Sequence, residues 1–251
     1  MKKGNKLAVT GGAGFLGSHL VEKLLEKGEN VLVIDNLSSG RLENLKGVLN
    51  NPKLSFYKRD LKKCKNLKKI INDCNVTFHF AANPEVRVGE FDPKVHIEEN
   101  ILATFNLLEA WRKVESNVSK IFVFASTSTV YGEASQIPTP EHYGPLLPIS
   151  TYGASKLGCE ALVTSYAHTF DFRALILRFA NIVGSRSTHG AAPDFVRKIR
   201  NDSTRFEVLG DGTQNKSYMY INDAIDAILH VADIFQAGDK RLDVYNIGSN
   251  D

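Results

Sequence analysis

The stretch Leu7-Ala8-Val9-Thr10-Gly11-Gly12-Ala13-Gly14-Phe15-Leu16-Gly17 decides the fold of this 251-residue chain. A short apolar run enters a turn that contains four glycines, and an amphipathic segment over 15–27 follows and ends at Gly28. Glycines here allow a tight turn and let the backbone approach a pyrophosphate, which the N-terminus of the helix then faces. The stretch therefore predicts a strand, a phosphate-binding turn and a helix, although its Gly-x-x-Gly-x-x-Gly spacing is looser than the commoner fingerprint.

Strand-like runs alternate with longer amphipathic segments along the rest of the chain, which is typical of helices that cover a parallel sheet. Helices are expected after Pro93 as far as Trp111, from near Ser150, and over 222–235. This alternation predicts an α/β fold, a Rossmann-type doubly wound parallel sheet. Its further strands are predicted at Val31–Ile34, Leu54–Tyr57, Val76–Phe80, Ile121–Ala125, Ala174–Leu177 and Val244–Ile247.

The alternation lapses between Asn181 and Asn215, where we expect a second, smaller unit. We therefore expect a dinucleotide-binding Rossmann domain over 1–180, to which 216–251 returns. Residues 181–215 would form part of a substrate-binding lobe.

Asp35 ends the second predicted strand, where a carboxylate can bind the adenosine ribose of a dinucleotide. Such a carboxylate favours NAD over NADP because it would repel a 2′-phosphate. A residue that merely starts a loop is the alternative interpretation. The frame of strand, glycine turn, helix and strand favours the dinucleotide.

Tyr152 and Lys156 are four residues apart in Tyr152-Gly153-Ala154-Ser155-Lys156, so on a helix they share one face. A phenol is a poor base at neutral pH because its ordinary pKa is about 10. A fixed ammonium nearby would favour the phenolate and lower that pKa, which would make Tyr152 a general base. Taken alone, such a pair is more often a solvated surface pair.

The composition favours an ordinary globular protein, with 43% hydrophobic and 24% charged residues and a net charge of +3. That charge is too small to indicate a nucleic acid or a membrane as partner, and we expect the Lys-rich run 62–69 to be the solvated face of a helix. No signal peptide or membrane-spanning stretch is expected. Three scattered cysteines predict reduced thiols and no metal site, so the expected location is the cytoplasm.

Further motifs follow in order: Asp35-Asn36-Leu37-Ser38-Ser39-Gly40, Asp60-Leu61, His79-Phe80-Ala81-Ala82, Asn100, 126–132 and 178–184. With the glycine turn and the Tyr152/Lys156 pair, they resemble the extended short-chain dehydrogenase/reductase family over nearly the whole chain. The most similar branch is that of the NAD-dependent nucleotide-sugar epimerases and dehydratases, which includes the UDP-glucose 4-epimerases. The resemblance implies NAD as cofactor, bound by Gly11, Gly14, Phe15, Leu16, Gly17, Asp35, Asn36, Ser38, Ser39, Gly40, Asp60, Leu61, Phe80, Ala81, Ala82, Asn100, Tyr152 and Lys156.

The resemblance also implies Thr127, Tyr152 and Lys156 as catalytic residues, with Ser126 beside Thr127 at the substrate. Tyr152 would remove the proton of the sugar 4-hydroxyl while the C4 hydride passes to NAD, and return of the hydride to the other face would invert C4. Related dehydratases carry acidic residues directly after the threonine, whereas Ser128 and Thr129 stand here. Epimerisation is therefore favoured over dehydration. His79 is interpreted as structural.

The substrate implied by the resemblance is a UDP-hexose, bound in the smaller lobe by Asn181, His189, Val208 and Lys216, with Leu209 and the segment 211–218 beside them. Lys216 stands where relatives often carry an arginine. Relatives continue beyond Asp251, so the small substrate lobe is expected to be truncated at its C-terminal side. Relatives also pair helices equivalent to 94–112 and 150–168 into a homodimer.

Two alternatives stay open. The chain could be another NAD-dependent nucleotide-sugar modifier, namely a UDP-N-acetylhexosamine 4-epimerase, a decarboxylase or a dehydratase. It could also be an NAD-binding module that has lost its activity.

Overall fold

The computed structural model describes residues 6–115, 119–170, 172–208 and 216–249. Its strands are β1 Lys6–Thr10, β2 Asn30–Asp35, β3 Leu54–Lys58, β4 Val76–His79, β5 Ile121–Thr127, β6 Arg173–Phe179, β7 Asn181–Val183, β8 Tyr218–Tyr220 and β9 Leu242–Ile247. Its α-helices are α1 Phe15–Glu26, α2 Leu67–Ile71, α3 Val88–Phe91, α4 Lys94–His96, α5 Ala103–Trp111, α6 Thr151–Thr169, α7 Ala191–Asn201 and α8 Ile221–Ala237.

Seven strands form one sheet in the order β3-β2-β1-β4-β5-β6-β9, and every neighbouring pair is parallel. The order reverses between β1 and β4, because the chain first builds outward to β3 and then crosses back. In such sheets this reversal opens a crevice at the carboxyl ends of the strands. The predicted Rossmann-type, doubly wound parallel sheet is confirmed.

Both faces of the sheet are covered, so its central strands are buried throughout. All four residues of β4 and all seven of β5 are buried. Alternate side chains point to opposite faces: Leu7 and Val9 pack towards α1 and α8, whereas Ala8 packs towards α2, α5 and α6. The continuous apolar runs are the expected sequence of parallel strands that are buried on both sides.

The long helix expected between Pro93 and Trp111 contains a π-helical segment at Ile97–Leu102, between α4 and α5. The wider turn carries Glu99 and Asn100, whose contacts are described below. Segments of this kind occur frequently at functional sites.

The Lys-rich run forms less helix than the sequence predicts, since α2 covers only Leu67–Ile71. Lys62 is half-buried rather than solvated. Its ammonium lies 3.4 Å from Glu99 and 3.9 Å from Asp60. The residues directly after Asp60 form a local turn instead of a helix, because the Asp60 side chain accepts a 2.9 Å hydrogen bond from the backbone N–H of Lys62.

The described residues between β6 and α8 form α7 and a two-stranded parallel sheet of β7 and β8. Residues 218–220, expected to belong to the returning part of the main domain, thus pair with β7. The chain then returns through α8 to β9, which extends the main sheet beside β6.

Two further findings concern the described ranges as a whole. None of their helices is long and apolar enough to cross a membrane. The three cysteines are free thiols, with Cys74 and Cys159 buried and Cys64 half-buried.

Candidate active site

A cleft of about 690 Å³ opens at the carboxyl ends of the strands, where the strand order reverses. It brings together residues that are far apart in the sequence, from the glycine turn to the smaller lobe. Of the predicted site residues, the lining includes Gly11, Gly14, Phe15, Leu16, Gly17, Asp35, Asn36, Ser38, Ser39, Gly40, Asp60, Leu61, Phe80, Ala81, Ala82, Ser126, Thr127, Tyr152, Lys156, Asn181, His189 and Val208.

The glycine turn leaves no room for side chains. Gly11 has a positive φ of 69°, and a Cβ there would lie 2.7 Å from the backbone nitrogen of Ala81. A Cβ at Gly17 would lie 2.2 Å from the carbonyl oxygen of Gly11. Close packing therefore demands glycine at both positions.

The N-terminus of α1 faces this turn and is open to an anion. Its N-cap is Gly14, which offers no side-chain oxygen to the first N–H groups of the helix. Phe15, Leu16 and Gly17, in that first turn, line the cleft. Free N–H groups, the positive end of the helix dipole and the absence of side chains in the turn fit the pyrophosphate of a dinucleotide such as NAD.

Asp35 is held at the end of β2 by two backbone donors. One carboxylate oxygen accepts from the N–H of Ala13 at 2.9 Å and the other from the N–H of Leu37 at 2.8 Å. A Cβ at Gly40 would lie 3.0 Å from both oxygens, so the loop passes close to the carboxylate. The buried acid therefore has a fixed orientation and keeps lone pairs for a ribose hydroxyl.

The residues predicted to surround the rest of the cofactor lie on adjoining loops of the cleft. Asp60 and Leu61 follow β3, while Phe80, Ala81 and Ala82 follow β4. Asp60 also shapes its own turn through the Lys62 N–H. Asp60 therefore both shapes its own turn and lines the cleft.

Asn100 does not belong to the lining, although the sequence placed it among the cofactor-binding residues. It is 1% exposed and sits behind the cleft. Its side-chain oxygen accepts from the N–H of Asn83 at 2.7 Å, and its amide donates to Ser155 Oγ at 2.8 Å. Because Ser155 lies between Tyr152 and Lys156, Asn100 ties the loop after β4 to the helix that carries them. Glu99 supports the same loop from the lining, since it accepts from the Asn83 amide at 3.1 Å.

Thr127 ends β5, and its side chain begins the next turn. Its hydroxyl oxygen accepts hydrogen bonds from the backbone N–H and the hydroxyl of Thr129, both at 3.2 Å. The 3₁₀ turn Ser128–Tyr131 starts from this cap. Thr127 is 7% exposed, with its hydroxyl fixed at the cleft.

Tyr152 and Lys156 lie in the first turns of α6, whose N-cap is Ser150. The Ser150 hydroxyl caps the helix by accepting from the N–H of Gly153 at 3.0 Å. Both functional side chains line the cleft, as their four-residue spacing predicts. The Lys156 ammonium lies 4.4 Å from the centre of the Phe124 ring. This cation–π contact holds a charge that is otherwise desolvated.

The pKa of Tyr152 is higher than a free phenol's, not lower as the spacing suggested. Desolvation raises the pKa of Tyr152 to about 12, against an opposing interaction with Thr127. Burial also lowers the pKa of Lys156 to about 8. The expectation is wrong for the protein alone because burial destabilises the phenolate more than its neighbours stabilise it.

His79 is structural, in agreement with the sequence interpretation. Its ring nitrogens lie 2.7 Å from Thr10 Oγ1 and 2.8 Å from Thr104 Oγ1. Burial lowers the pKa of His79 to about 3, so the ring is neutral at physiological pH. Both nitrogens are satisfied, and the residue ties β4 to β1 and α5.

The residues predicted in the smaller lobe have different outcomes. Asn181, His189 and Val208 line the cleft, and the Asn181 amide donates to the carbonyl of Ser217 at 3.2 Å. Lys216 is exposed and is not part of the lining. Leu209 and residues 211–215 lie outside the described residues.

Sequence reasoning missed several charged groups of the cleft, because they belong to no motif. Arg41, Arg59, Glu85 and Arg87 line it, and each follows a predicted strand or motif within a few residues. Arg186, also in the lining, donates to Glu22 at 2.8 Å and to Ser18 at 3.1 Å, and so joins the smaller lobe to α1. The sequence signal that could have identified Arg41, Arg59, Glu85 and Arg87 as lining residues is their position shortly after a predicted strand or motif. Within the described ranges, no cluster of three or more His, Cys, Asp or Glu side chains could hold a metal ion.

Comparison with known families gives one match over nearly the whole chain. Residues 7–248 match the model of the NAD dependent epimerase/dehydratase family. Among curated proteins, the UDP-glucose 4-epimerase of Mycolicibacterium smegmatis is 32% identical over 247 residues, which cover 96% of this chain and 76% of that protein.

Solved structures give the same result. A crystal structure of a UDP-galactose 4-epimerase matches with a TM-score of 0.85 and 45% identity, and covers 97% of this chain and 77% of that one. The UDP-glucuronic acid 4-epimerase of Bacillus cereus, solved with UDP-glucuronic acid and NAD, matches with a TM-score of 0.86 and 31% identity over the same shares. The chain thus spans about three quarters of the length of these proteins.

Proposed function

Since the chain belongs to the NAD dependent epimerase/dehydratase family, we propose that it is a nucleotide-sugar 4-epimerase that interconverts UDP-glucose and UDP-galactose. The observation that carries this proposal is the meeting of Thr127, Tyr152 and Lys156 in one cleft with the glycine turn and Asp35. The Tyr152 phenol, the Lys156 ammonium and the Thr127 hydroxyl then line the same cleft as the glycine turn that would bind the pyrophosphate of NAD.

The chain's own residues would move and hold the proton of the sugar 4-hydroxyl. NAD, when bound, supplies the acceptor of the C4 hydride and a positive charge on the nicotinamide ring. Tyr152 takes the hydroxyl proton as phenolate and later returns it to the ketone oxygen of the turned sugar. Thr127 orients the oxygen by a hydrogen bond. Lys156, which is a cation below pH about 8, stabilises the phenolate and binds the nicotinamide ribose.

The high pKa of Tyr152 adds a condition to this chemistry. In the protein alone the phenol keeps its proton at neutral pH, since its pKa is about 12. Positive charge that enters the cleft beside it would favour the phenolate. We therefore infer that Tyr152 becomes a base only in the cofactor-loaded protein.

The residues after Thr127 favour epimerisation over dehydration. Ser128 is exposed, and the hydroxyl of Thr129 is engaged with Thr127 at 3.2 Å. Neither can act as the carboxylic acid that an elimination at C6 needs.

A decarboxylase or dehydratase of nucleotide sugars is the second candidate, and one observation favours it. Glu85 lines the cleft on the loop after β4, where a carboxyl group could act on a sugar from another side. A Glu85→Gln variant that keeps UDP-hexose turnover would speak for epimerisation, whereas loss of a dehydrated or decarboxylated product would speak for the second candidate.

The deciding experiment is an incubation of the NAD-loaded protein with UDP-galactose, followed by NMR of the products. We expect UDP-glucose to form, and Tyr152→Phe to abolish its formation. The panel should include UDP-N-acetylglucosamine and UDP-glucuronic acid, because similar solved structures include 4-epimerases of these two sugars. Folded, NAD-binding protein that yields no C4 epimer of any of these sugars would refute it.

Asn181, His189 and Val208 are proposed to contact the nucleotide-sugar, supported by their place in the lining. The exposed Lys216 is proposed at most to neutralise the diphosphate, since lysine cannot form the planar fork of an arginine.

We also propose a homodimer through the helices at 94–112 and 150–168. Ile97, Leu102 and Phe105 expose 54%, 40% and 40% of their surface along the first of them, and these apolar side chains support an interface there. A monomeric mass by light scattering would refute the dimer. A cytoplasmic location stays a prediction that the free cysteines support.

A further inference from the structure

A buried ion pair lies directly behind the catalytic residues. Glu160 of α6 and Arg178 of β6 are each 5% exposed. Glu160 follows Lys156 by four residues and Tyr152 by eight, so all three lie on one face of the helix. Arg178 is the register partner of Ser126, the residue before Thr127. The pair therefore stands between the two elements that carry the catalytic side chains.

The pair is joined to the β5 end of the site by short contacts. The Arg178 guanidinium binds the Glu160 carboxylate as a fork, with Nε donating at 3.0 Å and Nη2 at 2.7 Å. The Ser126 hydroxyl donates to the same carboxylate at 2.5 Å. Charge-assisted bonds of this kind are short and directional. They fix the backbone at Ser126 and hence the next residue, Thr127.

The other side of Arg178 fixes the turn that Thr127 begins. Its Nη1 donates to the Tyr131 hydroxyl at 2.9 Å and to the backbone carbonyl of Glu141 at 3.0 Å. Tyr131 closes the 3₁₀ turn Ser128–Tyr131, and its hydroxyl donates to Asn246 of β9 at 2.8 Å. Both flanks of Thr127 are thus held by one guanidinium.

The pair also matters for the charge on Lys156. The titratable groups that act on this ammonium are Cys159 and Glu160 of α6 and His79 of β4. Tyr152 lies one turn before Lys156 on the same helix, and Arg178 is bound to Glu160. The Cys159 thiol and the His79 ring are neutral near pH 7, because burial raises the pKa of Cys159 and lowers that of His79 to about 3. The Tyr152 phenol is neutral as well. Glu160, four residues further along α6, is the carboxylate among these groups, and its charge raises the pKa of Lys156 against the desolvation that lowers it.

Stability alone does not account for such a pair, because well-packed apolar side chains serve a core as well as a buried ion pair does. We propose that Glu160 and Arg178 are positioning residues that set the place of the Thr127 hydroxyl and the protonation of Lys156. The catalytic half of this inference rests on the proposed function.

The test compares Glu160→Gln with the wild type in two measurements. First, NMR titration of lysines labelled with ¹³C at Cε follows Lys156, assigned with Lys156→Arg, in protein without NAD or sugar. The glutamine keeps an acceptor for Ser126 but loses the charge, so we expect the midpoint of Lys156 to fall by about one pH unit or more. Second, we expect kcat for UDP-galactose to fall by about tenfold or more, the alkaline limb of kcat/KM to move to lower pH, and KM to change less.

The matched control is Glu109→Gln. Glu109 also binds an arginine as a fork, Arg112 at 2.7 and 2.9 Å, and accepts from the Tyr166 hydroxyl at 2.8 Å, but on α5 and outside the lining of the cleft. Both measurements should match the wild type in this variant.

A double variant, Glu160→Gln with Arg178→Gln, serves if the single variant does not fold, since it leaves no unpaired buried charge. It should also lower the Lys156 midpoint, but by less than the single variant, because the repulsion from Arg178 is removed together with the attraction of Glu160. An unchanged Lys156 midpoint, or full activity in the double variant, would overturn the inference. A wild type that is inactive on UDP-hexoses would refute the proposed function. The effect of Glu160 on the pKa of Lys156 could still be measured in that case, because the titration needs no turnover.

Discussion

Gly17→Ala is the perturbation whose effect follows most directly from the geometry. The new Cβ would lie 2.2 Å from the Gly11 carbonyl oxygen and 2.8 Å from Gly12 Cα. Ordinary contacts of this kind begin at 3.4 Å. Since both obstacles are backbone atoms of the phosphate-binding turn, the turn or the start of α1 must move by about 1 Å, the scale of an overpacked contact.

The expected losses of stability and of NAD affinity follow from overpacking and from the displacement of the phosphate-binding turn. Forcing extra carbon into a tight site costs about 1–3 kcal/mol of unfolding free energy. For a domain of this size each kcal/mol lowers Tm by about 2–4 °C. A displaced turn also aims its N–H groups away from the pyrophosphate, so we expect NAD to bind at least about tenfold more weakly, which corresponds to about 1.4 kcal/mol.

Isothermal titration with NAD and thermal melting measure these two effects. Gly14→Ala gives a graded comparison, because its Cβ would lie 3.1 Å from the Gly11 oxygen and should cost less. Gly47→Ala is the control, since its Cβ meets nothing nearer than Glu22 Oε1 at 4.0 Å. If Gly17→Ala binds NAD and melts as the wild type does, a Cβ at this position does not displace the phosphate-binding turn, and the prediction is wrong.

Three other predictions concern the same cleft. Asp35→Asn should lower the preference for NAD over NADP by about tenfold or more, because it removes a charge that repels the 2′-phosphate; binding constants for the two cofactors check this, and an unchanged ratio would count against a ribose role for Asp35. Tyr152→Phe should reduce kcat by about 10²–10⁴-fold while NAD still binds, as expected for loss of a general base; steady-state kinetics beside NAD titration would expose a purely structural role if both fell together. For pH, burial lowers the pKa of Lys156 to about 8, so the ammonium is present below that pH and lost above it. We therefore expect kcat/KM to decline above pH about 8 in the wild type and to decline later in Lys156→Arg; a flat profile to pH 9.5 would contradict the role of the ammonium.

The main lines of the fold could be predicted from the sequence because they depend on local patterns. The continuous apolar run Ile121–Ala125 is typical of a strand that is buried on both faces of a parallel sheet, and it lies in β5. The glycine turn and Asp35 reached the same cleft because each stands directly after a strand, and parallel strands end at one edge. Thr127 ends β5 and reaches the cleft for the same reason, whereas Tyr152 and Lys156 reach it from the first turns of α6.

Residues whose role depends on distant partners were placed less well. The resemblance places Asn100 among the cofactor-binding residues, whereas in the structure it lies outside the lining of the cleft and binds Asn83 and Ser155. Lys62 looked solvated, yet it meets Glu99 across the edge of the cleft. No local pattern predicts such encounters, since each depends on which helix packs on which face of the sheet.

The sequence by itself determined the strand–turn–helix frame, the order of the elements and the residue types that the cleft contains, because these follow from period, turn chemistry and short spacings. Only the tertiary structure decided their electrostatics. Desolvation in the folded protein raises the pKa of Tyr152 to about 12, whereas its four-residue spacing to Lys156 suggests a lowered pKa. Likewise Glu160 and Arg178 are 18 residues apart in the sequence. They form a buried ion pair behind the site because α6 packs against β6. Desolvation and long-range packing are properties of the folded whole, and the spacing of residues along the chain does not contain them.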